Sequence, residues 1–358
     1  MKTILHVVEP MATGVGMFVT NLASEQARSG DYRVVVAHGI RPLTHPRFRE
    51  FFHKDVELIH VKNFRAGLNP IALFKAINEV RGIIKEVKPD YIHMHSSISG
   101  GVGRLAALGS GIPQIYNPHG FSFLDKNTSK AKNAVFYMLE QICAKLPNGV
   151  LIATSPGEYS EAVKVKKDAK LVYNGINTSD LDKYFDKYHP NEQFSISTNG
   201  RLLSQKNPAL FNEIAKRLSD VKFIWIGDGD LKHLLTSSNI EVKENCLREQ
   251  ALEHVAKADA YIMTSLYEGF SLSLLEAMYL KKPSVVSNVT GNRDAIDNGR
   301  TGFVCDTVDD FVTAISTIKE DKALANKLAM NGHDEVVTKY SAQVMKENYD
   351  KIYKTFDK

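Results

Sequence analysis

Cysteine is scarce in this chain. There are three in 358 residues, Cys143, Cys246 and Cys305, and no two of them stand at metal-ligand spacing. A disulfide framework and a cysteine-based zinc module are excluded, and free thiols in a reducing compartment are expected. Long apolar runs are also missing. No stretch approaches the roughly 20 apolar residues that span a bilayer. The opening run Ile4-Leu5-His6-Val7-Val8 is cut off by Glu9 and Pro10, too soon for a signal peptide, and is expected to form a first buried strand. A cytoplasmic protein is the expectation. There is no low-complexity tract, no short-period repeat and no recognised nucleic-acid module, so no nucleic-acid partner is expected.

What is present is an ordinary globular composition, 43% hydrophobic and 24% charged. The length favours two domains. Charge is uneven: residues 1–170 hold 22 Lys+Arg against 14 Asp+Glu, and the remainder 23 against 27, so a basic first half of net +8 precedes an acidic second half of net −4. The basic half is suited to an anionic surface or substrate, although imbalances of this size are common between domains.

Short apolar runs alternate with longer amphipathic ones. Strands are predicted near 3–8, 32–37, 56–61, 90–94, 113–116, 149–153 and 170–173, with helices near 15–29, 70–87, 100–110, 130–146 and 157–163. The second half repeats the scheme, with strands near 194–199, 221–226, 239–243, 259–264, 284–287 and 302–304, and helices near 207–218, 229–236, 248–257, 272–281 and 308–331. Strands spaced by helices imply parallel sheets covered on both faces, hence an α/β protein of two doubly wound, Rossmann-like domains. The boundaries are 1–173, a polar and turn-rich linker at 174–192, and 193–340. A helix near 341–358, marked by Val344, Tyr349, Ile352, Tyr353 and Phe356, either finishes the second domain or packs back onto the first.

Ligands of such sheets bind beyond the carboxyl ends of the strands, and two facing domains place the site in the cleft between them. Polar and glycine motifs recur after strands. Thr13-Gly14-Val15-Gly16-Met17 opens a helix, where glycines allow close approach of a ligand and the helix start favours negative charge. Val19 breaks the full G-x-G-x-x-G, which argues against a dinucleotide site; the plainer reading is a tight turn. His93 and His95 share one face of a strand, as polar lining of a cleft rather than a metal site, which would be short of ligands. His119 is held between Pro118 and Gly120, a functional loop histidine or an exposed turn residue. Gly200, Arg201 and Lys206 follow the first strand of the second domain, where a fork and a point charge suit two phosphoryl groups. The alternative is two surface cations. Gly227-Asp228-Gly229 ends the next strand, as a turn or as a loop brushing a base or ribose.

The most informative stretch is Tyr267-Glu268-Gly269-Phe270-Ser271-Leu272-Ser273-Leu274-Leu275-Glu276-Ala277-Met278. A strand, a glycine turn and a helix set one carboxylate at the mouth of a site and the other a turn or so into the helix, with exposed N–H groups between them. Two acceptors flanking an anion site suit ribose, diphosphate and hexose: a nucleotide-sugar. The alternative is a capping box of Ser273 and Glu276 with Glu268 a solvated loop acid.

The ordered set of Gly14–Gly16, His119-Gly120, Asn174-Gly175, Gly200-Arg201 with Lys206, Gly227-Asp228-Gly229 and the E-x7-E pair resembles the retaining GT-B glycosyltransferases of family four, also called glycosyl transferases group one. The resemblance covers nearly the whole chain and is strongest from Gly200 to Phe303. It implies a first domain that binds the acceptor and a second that binds the donor, a UDP- or GDP-sugar. It also implies a metal-independent hexosyl transfer with no cofactor. By that resemblance Arg201 and Lys206 grip the diphosphate, Glu268 binds the transferred sugar and Glu276 the ribose. Backbone around Gly269, Phe270, Ser271 and Leu272 completes the phosphate cradle. His119 sits by the sugar, and Gly14, Gly16, Gly200, Gly227 and Gly229 line the donor. Two departures concern base and sugar recognition: Asp294 stands where relatives carry a glutamate, and Val242-Lys243-Glu244-Asn245 replaces a Phe-x-Gly step.

Phe121, Phe123, Lys126, Lys130, Lys132, Phe136, Tyr137 and Lys145 mix lysines with aromatics, a surface able to lie on an anionic membrane or simply a helix with a solvated edge. The acceptors of similar enzymes are often lipid-linked saccharides, so a saccharide or lipid-linked acceptor and peripheral attachment to the inner leaflet are expected, and the opening His6-Val7-Val8-Glu9-Pro10 resembles enzymes that build capsule or exopolysaccharide. A sugar-nucleotide epimerase on the same scaffold is the competing enzyme reading. A catalytically silent binding subunit is the non-enzymatic one.

Overall fold

A computed structural model describes residues 1–42, 44–64, 69–124, 128–145, 148–188 and 191–357. Lys126, Leu146, His189, Pro190 and Lys358, which fall in the expectations above, lie outside the described residues. The chain divides into two compact units, Met1–Gly175 with Ala342–Lys358, and Ile176–Ser341.

The first unit carries seven strands, β1 (Lys2–Val8), β2 (Tyr32–His38), β3 (Val56–His60), β4 (Tyr91–His95), β5 (Gln114–Asn117), β6 (Gly149–Ala153) and β7 (Lys170–Leu171), in the order β3-β2-β1-β4-β5-β6-β7. All the described pairings are parallel. Helices α1 (Thr13–Arg28), α2 (Pro70–Val87), α3 (Ser97–Ala106), α4 (Lys130–Ala144) and α5 (Pro156–Val165) are the crossovers. Their ends follow local chemistry. Asn69 Oδ1 accepts from the N–H groups of Ile71 and Ala72 ahead of α2, and Pro156 at the start of α5 follows the Ser155 cap.

The second unit carries β8 (Ser195–Asn199), β9 (Lys222–Ile226), β10 (Ile240–Lys243), β11 (Ala260–Met263), β12 (Ser284–Ser287) and β13 (Gly302–Cys305), ordered β10-β9-β8-β11-β12-β13. Its helices are α6 (Pro208–Arg217), α7 (Arg248–Lys257), α8 (Leu272–Tyr279), α9 (Thr290–Ala295), α10 (Val308–Glu320) and α11 (Lys322–Lys339). Both sheets are thus doubly wound, with the order reversing between β1 and β4 and between β8 and β11.

Helix α12 (Ala342–Lys354) belongs to the first unit. Its buried stripe is Ala342, Met345, Tyr349 and Tyr353, packed in one core with Phe18 and Leu22 of α1; Val344 lies off that stripe. Within the stretch expected as a linker, residues 176–188 belong to the second unit. Ile176 bridges to Ser341, and the Tyr279 hydroxyl donates to Asp182 at 2.5 Å.

Three elements differ from the sequence expectation. Residues 229–236 form only a short 3-10 turn, Lys232–Leu234, because the Leu231 N–H is drawn to the Leu202 carbonyl at 3.3 Å instead of down a helix. The helix expected over 308–331 breaks at Asp321, whose carboxylate caps α11 by accepting from the Leu324 N–H at 2.9 Å. Residues 290–295, for which no element is predicted, form α9, pinned by buried Asn292, whose Nδ2 donates to the Ser287 carbonyl at 3.1 Å.

Candidate active site

At the reversal point of the second sheet the loops leaving β8 and β11 run side by side. Thr264 Oγ1 donates to the Lys206 carbonyl and the Leu266 N–H to the Gln205 carbonyl, each at 2.8 Å. This lacing brings Lys206 to Glu268. The ammonium donates to Glu268 Oε1 at 2.7 Å, and Ser265 Oγ donates to the same oxygen at 2.7 Å. The two charged side chains are only 18% and 8% exposed, so the pair is largely out of water, where its Coulomb attraction is strong and its desolvation costly. Arg201, on the same loop as Lys206, is exposed and its guanidinium joins no ion pair among the described residues.

Helix α8 starts at the next turn. Ser271 is its N-cap in extended geometry, yet Ser271 Oγ meets Ser273 Oγ at 3.0 Å and caps no N–H. The first N–H groups of the helix have no intrahelical partner and carry the positive end of its dipole. Further along, buried Glu276 is paired with Arg248, the first residue of α7. The carboxylate raises the Arg248 guanidinium above even its ordinary range. The capping box of Ser273 and Glu276 therefore does not form; Glu276 turns across to α7.

Close backbone approach holds the loops. A Cβ on Gly229 (φ 155°) would meet the Leu202 carbonyl oxygen at 2.6 Å, and one on Gly227 (φ 141°) would strike the Gly200 carbonyl. That carbonyl also accepts from the Trp225 indole at 3.0 Å. Gly291 of α9 presses on the turn at Glu268 and Gly269 in the same way; its Cβ would come within 2.7 Å of the Glu268 carbonyl oxygen. Phe270 is buried, its ring edge-on to Tyr340 at 5.1 Å. Of the predicted donor-site residues in this unit, Gly200, Arg201, Lys206, Gly227, Gly229, Glu268, Gly269, Phe270, Ser271, Leu272 and Glu276 all lie on loops after β8, β9 and β11 or on α8.

In the first unit, Gly14 and Gly16 lie in the first turn of α1. His119 follows β5 in left-handed backbone (φ 53°), with Gly120 (φ 93°) behind it. Glu158 secures this turn by accepting the Gly120 N–H at 2.6 Å. The His119 ring is edge-on to Phe18 at 4.4 Å, and its Nε2 lies 3.1 Å from His95 Nδ1. His93 and His95, expected to line a cleft, are instead fully buried with His6, because β1 and β4 are central strands and α1 and α12 cover the face these rings occupy. The ligand atoms of the three lie within 4.8 Å of one another. Both nitrogens of His6, of His93 and of His95 already have hydrogen-bond partners. Burial holds His6 at about 4 and His119 at about 3, and pushes His93 and His95 well below the usual imidazole range. These rings are neutral at physiological pH.

With that geometry, the comparisons decide the family. Residues 12–180 match the model of Glycosyltransferase Family 4, and residues 180–335 match that of Glycosyl transferases group 1. The chain belongs to the GT-B glycosyltransferases. This transferase is 27% identical to UDP-Gal:alpha-D-GlcNAc-diphosphoundecaprenol alpha-1,3-galactosyltransferase of Escherichia coli, over 82% of either chain. It is 24% identical to the capsular polysaccharide biosynthesis glycosyltransferase CapM of Staphylococcus aureus, over 86% of this chain and 88% of that one. Among solved structures, the sucrose-phosphate synthase of Thermosynechococcus elongatus superposes with a TM-score of 0.81 at 17% identity, covering 99% of each chain. Anabaena HepE in complex with UDP-glucose gives 0.77 at 17%, covering 99% of this chain and 100% of that one.

Other residues that hold these loops and rings in place carry little mark in the sequence. Arg248 opens a predicted helix, but nothing local aims it at Glu276. Ser265 carries no motif, and Gly291 stands in the Gly-Asn-Arg-Asp stretch with Asp294, where nothing local shows that it presses on Glu268. Gln26 did leave a signal, a polar residue on the apolar face of α1, where it is fully buried.

Proposed function

We propose that the protein moves a hexose, with retention, from a UDP- or GDP-sugar to a saccharide or lipid-linked acceptor in cell-surface polysaccharide synthesis. The observation that carries this reading is the pairing of both E-x7-E acids with cations on either side of the α8 N-terminus: Lys206–Glu268 and Arg248–Glu276. Glu268 takes hydroxyls of the donor sugar and Glu276 those of the ribose, while Arg201, Lys206 and the free N–H groups of α8 hold the diphosphate. Cleavage of the sugar–phosphate bond leaves an oxocarbenium-like sugar and a more negative diphosphate, and those cations stabilise the departing charge without a metal. Glu268 has one oxygen tied to Lys206 and Ser265, which suits positioning better than covalent attack. The phosphate oxygen that leaves accepts the acceptor's proton on the same face.

Two further supports concern the acceptor. The relatives from Escherichia coli and from Campylobacter jejuni are named for diphosphoundecaprenol-linked acceptors. Helix α4 of the first unit exposes Val135, Met138, Leu139 and Ile142, a stripe at three- and four-residue spacing, with exposed Lys130, Lys132 and Lys145 near it. An apolar stripe edged by lysines suits the surface of an anionic leaflet, and no described helix is long and apolar enough to cross a membrane.

The test is a thermal-stability screen of the full chain with UDP, GDP, UDP-glucose, UDP-galactose, UDP-N-acetylglucosamine and GDP-mannose, with and without divalent metal. Ligand binding raises apparent stability by mass action. One base is expected to stabilise without metal, and Arg201→Ala and Lys206→Ala to remove most of that shift. Equal shifts in wild type and both variants would sink the diphosphate assignment. Release of free nucleotide only when acceptor is added separates transfer from epimerisation.

A further inference from the structure

The buried polar groups around His119 form one chain of hydrogen bonds whose direction is fixed from its far end. The Ile152 main-chain carbonyl can only accept, and Asn117 Nδ2 donates to it at 3.0 Å. Asn117 Oδ1 is thereby turned toward His93 Nε2, 2.6 Å away, which must donate. A neutral His93 then offers Nδ1 as an acceptor, and the Tyr353 hydroxyl donates to it at 2.8 Å. The Tyr353 oxygen accepts from Gln26 Nε2 at 3.1 Å, which turns Gln26 Oε1 toward His6 Nε2 at 2.7 Å. His6 Nε2 donates there, so His6 Nδ1 accepts from His95 Nε2 at 2.9 Å. His95 Nδ1 in turn accepts from His119 Nε2 at 3.1 Å. The chain ends at His119 Nδ1, which has no partner among the described residues.

We infer that this network locks His119 in one tautomer, Nε2–H, so that its Nδ1 is a bare acceptor that takes a substrate hydroxyl and refuses a phosphate oxygen. An unprotonated nitrogen repels another lone pair and welcomes an O–H donor. Gln26, His6 and His95 are then positioning residues, acting through His119 and not on substrate. Tyr353 makes the C-terminal helix part of the device. The substrate class, a saccharide hydroxyl at the carboxyl end of the first sheet, rests on the transferase reading above; the tautomer does not.

The experiment is long-range 1H–15N NMR of the full chain labelled at histidine side chains, first without substrate at neutral pH. His119 is expected to show a protonated Nε2 and a bare Nδ1, with the same pattern at His95, His6 and His93. In His95→Phe, His119 Nε2 loses its acceptor and the single tautomer is lost. Turnover of the nucleotide-sugar selected by the stability screen falls about tenfold, the worth of one neutral hydrogen bond. His95→Gln supplies an oxygen for His119 Nε2–H and an amide for His6 Nδ1, and is expected to restore both the single tautomer and most of the turnover. A proton on His119 Nδ1, or an imidazolium at neutral pH, in the wild-type chain overturns the inference. So does equal turnover in wild type and His95→Phe. The wild-type spectrum needs no substrate, so it stands or falls separately from the donor assignment.

Discussion

Arg248 and Gly291 show how single residues outside the E-x7-E stretch hold this site. Arg248 neutralises Glu276, which is buried. Replacing Arg248 by alanine strands a mostly desolvated carboxylate. The expected loss is about 1–3 kcal/mol in urea unfolding, along with weaker binding of the nucleotide that the screen selects, read by calorimetry. Unchanged affinity in Arg248→Ala would remove Arg248 from the ribose end. Gly291→Ala works differently. The added Cβ collides with rigid backbone at Glu268 and Gly269, so the turn that presents Glu268 must move. We expect about 1–3 kcal/mol of destabilisation from overpacking, and donor affinity lower than in Gly82→Ala of α2, whose Cβ has open space. Equal affinities in the two variants would mean that the turn's placement is not critical.

Among elements, α12 matters most, because it returns at the end of the chain to complete the first unit. Its Met345, Tyr349 and Tyr353 are buried in the core with α1, and Lys346 donates to Asp31 at 2.5 Å. A chain stopped after Ser341 exposes that core, and the expected outcome is loss of the soluble first unit, seen as proteolysis within 1–175. The Tyr353 hydroxyl alone is a finer probe. Tyr353→Phe leaves Gln26 Nε2 and His93 Nδ1 buried without partners, for an expected cost of about 1–3 kcal/mol. A fully stable Tyr353→Phe would show that the network has another way to satisfy these groups.

For the whole molecule, the buried histidines set an acid limit on one unit. His6, His38, His93, His95 and His119 all have lowered pKa values, chiefly through burial, and all lie in the first unit. Unfolded, each takes up a proton below about 6.5; folded, each resists. The unfolded state therefore binds more protons, and stability rises with pH across this window. The contribution is complete above about 6.5 and is lost as pH falls toward the folded values, about 4 for His6 and His38 and about 3 for His119. Each ring adds up to about 1.4 kcal/mol per pH unit. The first unit is expected to open on acidification before the second. The only tryptophan, Trp225, is buried in the second unit and reports on it alone. Amide-exchange protection in β1 and β4 should fail at a higher pH than the Trp225 fluorescence changes, and coincident transitions would contradict this.

The pattern of the chain by itself determined the two doubly wound sheets, because a strand's apolar run and a crossover helix's amphipathic face are local properties. It also placed Gly200, Lys206, Glu268 and Glu276 after strands, because turns and helix starts are written in neighbouring residues. Only the tertiary structure decided what those acids face. Lys206 and Glu268 are 62 positions apart and Arg248 and Glu276 are 28, and no local rule aims one side chain at the other. The same holds for the expected cleft histidines. His93 and His95 look like polar lining until β1, α1 and α12 close over them, and burial then makes them neutral links in a chain that reaches His119.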